Sequence, residues 1–291
     1  MIYVGTERGL QVLPDHGAKL LERPIRALAT TPGRLWAALD DGQVWRREET
    51  WAPMAHIERL RPTSLLPSDG TILVGTSEAR LFRNDQRVGP FDDMDGRDEW
   101  YTPWGGPPDT RSMSRGPDGI LYVNVHVGGI PRSTDGGESW EPTIDIHADV
   151  HQVLAHPEQP GRVFAACALG FAESRDAGAS WTITDEGLHA SYSRALAVAG
   201  DTILLSASTS HRGERAAVYR RPLDADGPFE RCSEGLPEWF HGNVDTHWLA
   251  ANERRAAFAS SDGRVYTSED AGSTWQEVAA GLEGVRCLAL G

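Results

Sequence analysis

One eight-residue pattern, S-x-D-x-G-x-[ST]-W, occurs three times in this chain of 291 residues. The three copies, which we call the boxes, are STDGGESW (133–140), SRDAGASW (174–181) and SEDAGSTW (268–275). Their aspartates, Asp135, Asp176 and Asp270, are separated by 41 and 94 residues, and 94 is twice 47. Periods of about 40–50 residues are typical of propeller blades and solenoid units. The boxes therefore indicate a fold that repeats itself rather than an active site in triplicate.

Each repeat unit contains short runs of alternating apolar residues, separated by Gly, Pro and Asp, which is the pattern of an all-β protein. Alignment gives seven first strands, IRALAT, TSLLPS, RSMSRG, HQVLAH, RALAVA, HWLAAN and RCLALG. The strand that should follow the last one is MIYVGT at residues 1–6. We therefore expect a single domain, residues 1–291, folded as a seven-bladed β-propeller of four-stranded antiparallel blades. Pairing of the C-terminal strand with the N-terminal strands would close the ring and hide the sheet edges.

The boxes resemble the Asp-box (BNR) repeat. The resemblance implies a structural role, in which the Asp binds amides of its own turn, the Gly adopts a left-handed conformation and the Trp is buried. The structural residues would be Asp135, Gly137, Trp140, Asp176, Gly178, Trp181, Asp270, Gly272 and Trp275. Propellers of this class include sialidases and other glycoside hydrolases, sortilin-type receptors and photosystem assembly factors. The resemblance therefore does not select one function.

Charge and cysteine content restrict the partners and the compartment. The net charge is −14 and the isoelectric point is near 5.1, which argues against nucleic acid or an anionic membrane as a partner. The sequence has no apolar run long enough to span a bilayer, and because its first residues have the pattern of a strand we expect no secretion signal. Its three cysteines follow no metal-binding or redox spacing. We expect a cytoplasmic protein.

The first strands of a propeller line its central channel, so the residues that begin them are candidates for binding. In blade order these residues are Arg26, Thr63, Arg111, His151, Arg194, His247 and Arg286. Four arginines on one ring predict a site for a carboxylate, phosphate or sulfate, because guanidinium groups offer forked donors. The alternative is a set of internal salt bridges, since Asp109, Asp149 and Asp245 each precede a basic residue of the ring by two positions.

The same face carries candidates for catalysis and for substrate contact. His151 or His247, oriented by Asp149 or Asp245, is predicted to transfer protons. Tyr192 is a further catalytic candidate, because sialidases use a tyrosine nucleophile, although the expected seven blades and the absent R-I-P motif argue against sialidase activity. Residues predicted to contact substrate, besides the arginines, are His126, Trp100, Tyr101 and Trp104. The three aromatic residues of the 91–110 loop could instead fill the loop's own small core.

Two functions from different classes fit these residues. The first is a hydrolase or lyase, similar to glycoside hydrolases, that acts on a small anionic substrate such as an acidic saccharide in an Arg/His-lined pocket. The alternative is a non-catalytic propeller whose arginine-rich face binds a protein partner or an anionic ligand. No cofactor is predicted. A divalent zinc or copper ion on His126, His147 and His151 is a weaker alternative, because nearby arginines would repel a cation.

Overall fold

The computed structural model describes residues 1–14, 19–68 and 70–291. These residues form seven separate four-stranded antiparallel sheets, and the innermost strand of each sheet contacts the innermost strands of its two neighbours. The described part of the chain has few helical segments, namely α1 (Gly89–Asp92) and the 3-10 turns Ser77–Ala79, Arg97–Glu99 and Ile146–Ala148. None of them is long and apolar enough to cross a membrane. The predicted seven-bladed β-propeller is confirmed.

The strands are numbered in chain order, and in six blades the first strand of the blade is innermost. Blade 1 holds β1 (Ile2–Thr6), β2 (Gly9–Leu13), β3 (Lys19–Leu21) and, innermost, the last strand, β28 (Val285–Leu290). Blade 2 holds β4 (Ile25–Thr31), β5 (Arg34–Leu39), β6 (Gln43–Arg47) and β7 (Trp51–His56). Blade 3 holds β8 (Pro62–Ser68), β9 (Thr71–Thr76), β10 (Arg80–Arg83) and β11 (Gln86–Arg87). Blade 4 holds β12 (Thr110–Arg115), β13 (Leu121–Val125), β14 (Pro131–Ser133) and β15 (Glu141–Pro142).

The other three blades have the same order. Blade 5 holds β16 (Val150–Ala155), β17 (Val163–Cys167), β18 (Gly170–Ser174) and β19 (Thr182–Thr184). Blade 6 holds β20 (Tyr192–Ala199), β21 (Thr202–Ser208), β22 (Ala217–Pro222) and β23 (Glu230–Arg231). Blade 7 holds β24 (Leu249–Asn252), β25 (Arg255–Ala259), β26 (Val265–Ser268) and β27 (Gln276–Ala279).

The ring closes in blade 1, where the two ends of the chain meet. Strand β28 pairs antiparallel with β1, with Ile2 opposite Leu290 and Val4 opposite Leu288. The amino group of Met1 also donates to the carbonyl oxygen of Gly291 at 2.7 Å. The predicted closure by the C-terminal strand is therefore confirmed.

Each box folds its own turn between the third and fourth strands of a blade. In the first box, Ser133 Oγ accepts from the amide of Gly137 at 2.8 Å, and Asp135 Oδ1 accepts from the amide of Ser139 at 2.9 Å. Gly137 has a φ of 101°, in the region that favours glycine. The same bonds recur at Ser174, Asp176 and Gly178 and at Ser268, Asp270 and Gly272. These turns lie on the face opposite the strand connections that enter each blade.

The box tryptophans differ in their burial. Trp140 and Trp275 are buried, and their indole N–H groups donate to the carbonyl oxygens of Gly137 and Gly272 at 3.2 and 3.1 Å. Trp181 is only partly buried, and its indole nitrogen has no hydrogen-bond partner in the described structure. The expected burial therefore holds fully for two of the three boxes.

Six of the seven innermost strands carry a β-bulge near their first residues, and each bulge contains a residue of the predicted ring. The bulged residues are Arg26, Thr63, Arg111, His151, Arg194 and Arg286. A bulge inserts a residue without a partner in the ladder and redirects its side chain. The bulges therefore change the two-residue alternation that the sequence analysis assumed at these positions.

Residues 244–248, which we call the channel segment, connect the ring internally. Thr246 Oγ1 donates to the carbonyl oxygens of His151 in blade 5 and Arg194 in blade 6, at 3.1 and 3.2 Å. His247 Nε2 donates to the carbonyl oxygen of Arg111 in blade 4 at 3.0 Å, and the His247 carbonyl accepts from the amide of Leu288 in blade 1. Contacts with four blades place this segment across the central channel.

Candidate active site

A cavity of 880 Å³ opens on the face where the chain enters each blade. Predicted site residues that line it are Arg26, Trp104, Arg111, His126, Asp149, Tyr192, Arg194 and Asp245. The other lining residues are Thr63, Pro103, Asp109 and His211. The cavity therefore gathers side chains from the ring, from the long 91–110 loop and from the channel segment.

Two of the ring arginines share one carboxylate in this cavity. Arg111 Nη2 donates to Asp245 Oδ1 at 2.7 Å, and Arg194 Nη1 donates to Asp245 Oδ2 at 2.9 Å. Burial disfavours the ionised carboxyl group, but the two guanidinium groups hold the pKa of Asp245 at about 2. Asp245 was predicted to orient His247. It instead neutralises two arginines of other blades, because it lies on the channel segment rather than on a strand.

The other two ring arginines are compensated by an acid that the sequence analysis did not consider. Arg286 Nη1 donates to both oxygens of Asp40, at 2.8 and 2.7 Å, and Arg26 pairs with the same carboxylate. Arg286 Nη2 also donates to Glu7 at 3.1 Å. The salt-bridge alternative thus describes all four arginines, although their partners are Asp40 and Asp245. The predicted pairing of Asp109 with Arg111 does not form.

Asp149 lies between two histidines on the wall of the cavity. Its Oδ1 atom is 3.4 Å from His126 Nε2, and its Oδ2 atom is 3.6 Å from His151 Nε2. The side chain of His151 is fully buried, and its Nδ1–H donates to the carbonyl oxygen of Ser193 at 2.6 Å. Burial lowers the pKa of His151 to about 4 and also lowers the pKa of His126, so both imidazoles are neutral at pH 7. Burial raises the pKa of Asp149, but its polar contacts with the two imidazoles, and attraction to the charge they carry when protonated at low pH, outweigh burial and lower it, so Asp149 is ionised at pH 7.

Two other predicted histidines lie outside this group. His247 adopts a φ of 64° and uses its Nε2–H for the carbonyl of Arg111, so it stabilises the channel segment and does not line the cavity. His147 is exposed in the 3-10 turn before Asp149. The structure therefore brings Asp149, rather than His147, next to His126 and His151.

Asp109 contributes a carboxyl group of a different kind. It lines the cavity, and its side chain accepts no hydrogen bond from the described residues. Burial raises its pKa, although Arg61 and His126 act in the opposite direction. The cavity therefore contains one carboxyl group whose pKa is raised, Asp109, and another whose pKa is lowered, Asp149.

The aromatic residues of the 91–110 loop point in different directions. Trp104 is 66% exposed and lines the cavity, with its ring centroid 5.0 Å from that of His126. Trp100 packs against Phe91 of the same loop and against the core of blades 3 and 4, so it is turned inward and does not line the cavity. Tyr101 is 44% exposed but does not line the cavity. Tyr192 lines it and accepts a hydrogen bond from Arg194 at 3.2 Å.

Sequence reasoning missed Asp40 and the separate role of Asp109. Asp40 directly follows the second strand of blade 2, and such positions lie on the same face as the ring. A search for acids at the exits of second strands could have found it. Asp109 was assigned to Arg111 because the alternation of a regular strand places residues i and i+2 on one face, and the bulge at Arg111 removes that relation.

Comparison with known proteins supports the fold but selects no family. No protein-family model matches the sequence, and a search of curated proteins finds no match. The solved structures it resembles include the GH74 xyloglucanase from Xanthomonas campestris, with 15% identity, a TM-score of 0.62, and coverage of 95% of this chain and 46% of that one. YCF48 bound to a D1 peptide has 15% identity, a TM-score of 0.59 and coverage of 87% and 81%. The WD40 repeats of RRP9 have 16% identity, a TM-score of 0.60 and coverage of 98% and 87%.

At sequence identities this low, the structural similarity establishes the fold of this chain and nothing about its function. This chain spans less than half the length of the GH74 structures that it resembles. The solved structures with a similar fold include GH74 enzymes and a propeller bound to a peptide. The chain itself is a seven-bladed β-propeller.

Proposed function

We propose that the protein is an enzyme that cleaves a C–O bond in a small acidic saccharide, as a hydrolase or a lyase. The observation that carries this proposal is the pair of dissimilar carboxyl groups in one cavity, Asp109 and Asp149. Environments that push the pKa values of two acids apart assign one as proton donor and the other as an ionised group. Asp109 would protonate the departing oxygen, and the group formed by Asp149, His126 and His151 would remove a proton from water or from carbon.

The exposed indole of Trp104 supports a saccharide as the substrate. Aromatic rings at the mouth of a polar cavity can stack on the apolar face of a sugar ring. The resemblance of the boxes to the Asp-box repeat agrees with this substrate class, because that repeat occurs in glycoside hydrolases. The GH74 structures point in the same direction at the level of fold.

An acidic substituent is the finer part of the proposal. Arg26 and Arg194 line the cavity, and the buried Nε atom of Arg194 has no hydrogen-bond partner in the described structure. Asp40, Asp245 and Glu7 offset three of the four arginine charges, so we expect recognition of one carboxylate rather than of a highly charged ligand. The buried free cysteines Cys167, Cys232 and Cys287 suit a reducing compartment, and the cytoplasm remains our prediction.

The test is turnover of oligosaccharides that contain uronic acid, followed by two readouts. New reducing ends without ultraviolet absorbance indicate hydrolysis, whereas an absorbing carbon–carbon double bond indicates elimination. Asp109→Asn should lower kcat by about 10²–10⁴-fold, the usual contribution of general acid–base catalysis. Asp226→Asn is the matched control, because that side chain is 91% exposed and remote from the cavity. Equal activity of both variants, or no turnover of any acidic saccharide, would contradict the proposal.

A second candidate function is the binding of an extended peptide. Tyr101 and Trp104 are among the few large apolar side chains exposed in the described structure, and they belong to the same loop beside the cavity. YCF48, one of the solved structures with a similar fold, is bound to a D1 peptide. Tyr101→Ala would weaken a peptide ligand, whereas it should leave saccharide turnover unchanged, since Tyr101 does not line the cavity.

A further inference from the structure

We propose that His126, Asp149 and His151 form a binding site for a divalent, zinc-like metal ion. One ligand atom from each of these residues lies within 4.8 Å of the other two. The three residues come from the exit of β13, the entry of β16 and the first residues of β16, so the ring of blades itself brings them together. The inference rests on the proposed function in one respect: with the ion bound, these three side chains would act as its ligands, and the ion would replace them in activating water. The binding of the metal itself rests on the geometry alone.

Each oxygen of the Asp149 carboxylate lies near one imidazole nitrogen, at a distance close to that between two ligands of one zinc ion. Two ligands bound at zinc distances of about 2.0–2.1 Å and at the tetrahedral angle lie about 3.4 Å apart. The observed separations are 3.4 Å from Asp149 Oδ1 to His126 Nε2 and 3.6 Å from Asp149 Oδ2 to His151 Nε2. Three protein ligands would leave at least one position for water or substrate on the side of the cavity.

Two of the proposed ligand atoms are buried and make no hydrogen bond in the described structure. His151 Nε2 and Asp149 Oδ1 are buried polar atoms without a hydrogen-bond partner among the residues that the structure describes. Native proteins seldom leave such atoms unsatisfied, so each requires an explanation. A metal ion would satisfy both atoms at once. The left-handed conformation of Asp149, with a φ of 48°, is a further local cost that a ligand role would explain.

The supporting contacts also have the form found at metal sites. A histidine ligand usually donates its second ring N–H to a carbonyl or carboxylate, which fixes the tautomer. His151 does so through Nδ1–H to the carbonyl oxygen of Ser193 at 2.6 Å, which leaves the lone pair on Nε2.

One group competes with the metal ion. Arg111 Nη1 donates to His126 Nε2 at 3.3 Å, while its Nη2 atom binds Asp245. Metal binding would require Arg111 to release His126 and keep Asp245. This competition gives the proposal a test in both directions, because removal of Arg111 should strengthen metal binding.

The experiment measures binding of Zn²⁺ by calorimetry and of Co²⁺ by visible absorption, on the full chain. We expect one ion per chain and the intense absorption of tetrahedral Co²⁺. Asp149→Asn and His151→Gln should weaken binding by more than about 100-fold, since loss of a supporting partner alone costs about 10–100-fold at such sites. His147→Gln, an exposed histidine two residues from Asp149, is the matched control and should bind as the parent does.

Arg111→Gln should bind Zn²⁺ more tightly than the parent, and this gain does not depend on the folding of the ligand variants. Absence of stoichiometric binding in both the parent and Arg111→Gln would overturn the proposal, as would binding that His147→Gln reduces and Asp149→Asn does not. Asp109→Asn separates the two proposals, because it should abolish turnover and retain the metal. Metal binding without any turnover would refute the enzyme and leave the metal site standing.

Discussion

Replacement of Asp245 by Ala is the perturbation whose effect follows most directly from the structure. The carboxylate of Asp245 accepts from Arg111 at 2.7 Å and from Arg194 at 2.9 Å, so its removal leaves two guanidinium groups without their shared partner. Removal of one partner of a buried ion pair costs about 3–5 kcal/mol. The Asp245 side chain is 34% exposed, so we discount this to about 2–4 kcal/mol for solvent screening.

The assay is urea unfolding, with thermal melting as a second measurement. In a chain of this size 1 kcal/mol corresponds to about 2 °C, so we expect the melting temperature to fall by about 4–8 °C. Acetate should partly restore the variant, because the two arginines then form an anion site. The gain would be about 1.4 kcal/mol at ten times the dissociation constant. Asp201→Ala is the control, since its side chain is 83% exposed and should cost less than about 0.5 kcal/mol.

Two results would refute this reasoning. The first is an Asp245→Ala variant as stable as the parent, which would mean that the arginines do not depend on this carboxylate. The second is a stabilisation by acetate that is no larger in the variant than in the parent, which would mean that removal of the Asp245 carboxylate creates no additional anion site between Arg111 and Arg194.

Three further predictions concern the scaffold. Trp275→Ala should lower the free energy of unfolding by about 3–5 kcal/mol, measured in urea, because Trp275 is buried. Trp181→Ala should lower it less, because Trp181 is only partly buried, and the reverse order would contradict this difference in burial. Deletion of residues 284–291 removes the innermost strand of blade 1 and should cause aggregation or loss of cooperative unfolding, whereas an unchanged melting curve would contradict ring closure. The folded-state pKa of Asp245 lies below its unfolded value of about 3.8, so its contribution of roughly 1–2 kcal/mol is present above pH 4 and lost as the pH falls towards 2. The stability difference between the parent and Asp245→Asn should therefore shrink between pH 5 and about pH 2.5, and a constant difference would contradict this assignment.

The architecture was accessible from the sequence because its signals are local and repeated. The boxes fix the period, and the Ser, Asp and Gly of each box fold their turn with bonds that span at most four residues. The alternating strands indicated where each blade begins. The pairing of β28 with β1 could also be predicted, because the chain ends after the first strand of its last repeat and residues 1–6 supply the strand that should follow.

The candidate site was only partly accessible, because its contacts cross the ring. The sequence identified Arg111, Arg194 and Asp245 as channel residues but paired Asp245 with His247, two positions away. The true partners come from other blades, and no local pattern encodes which blades the channel segment will reach. The bulges at the ring positions also hid the true contacts from sequence analysis, because they redirect side chains that strand alternation had assigned to one face.

The central claim is that the cavity beside Trp104, rather than the face that carries the boxes, binds the substrate. A crystal structure of the parent protein soaked with citrate, a small hydroxylated carboxylate, tests this most directly. The opposite face offers a competing cavity of 630 Å³ that includes Arg34 and Arg46. We predict ordered citrate beneath Trp104, with a carboxylate near Arg26 or Arg194. Citrate bound at Arg34 and Arg46, with none in the cavity beside Trp104, would contradict the account.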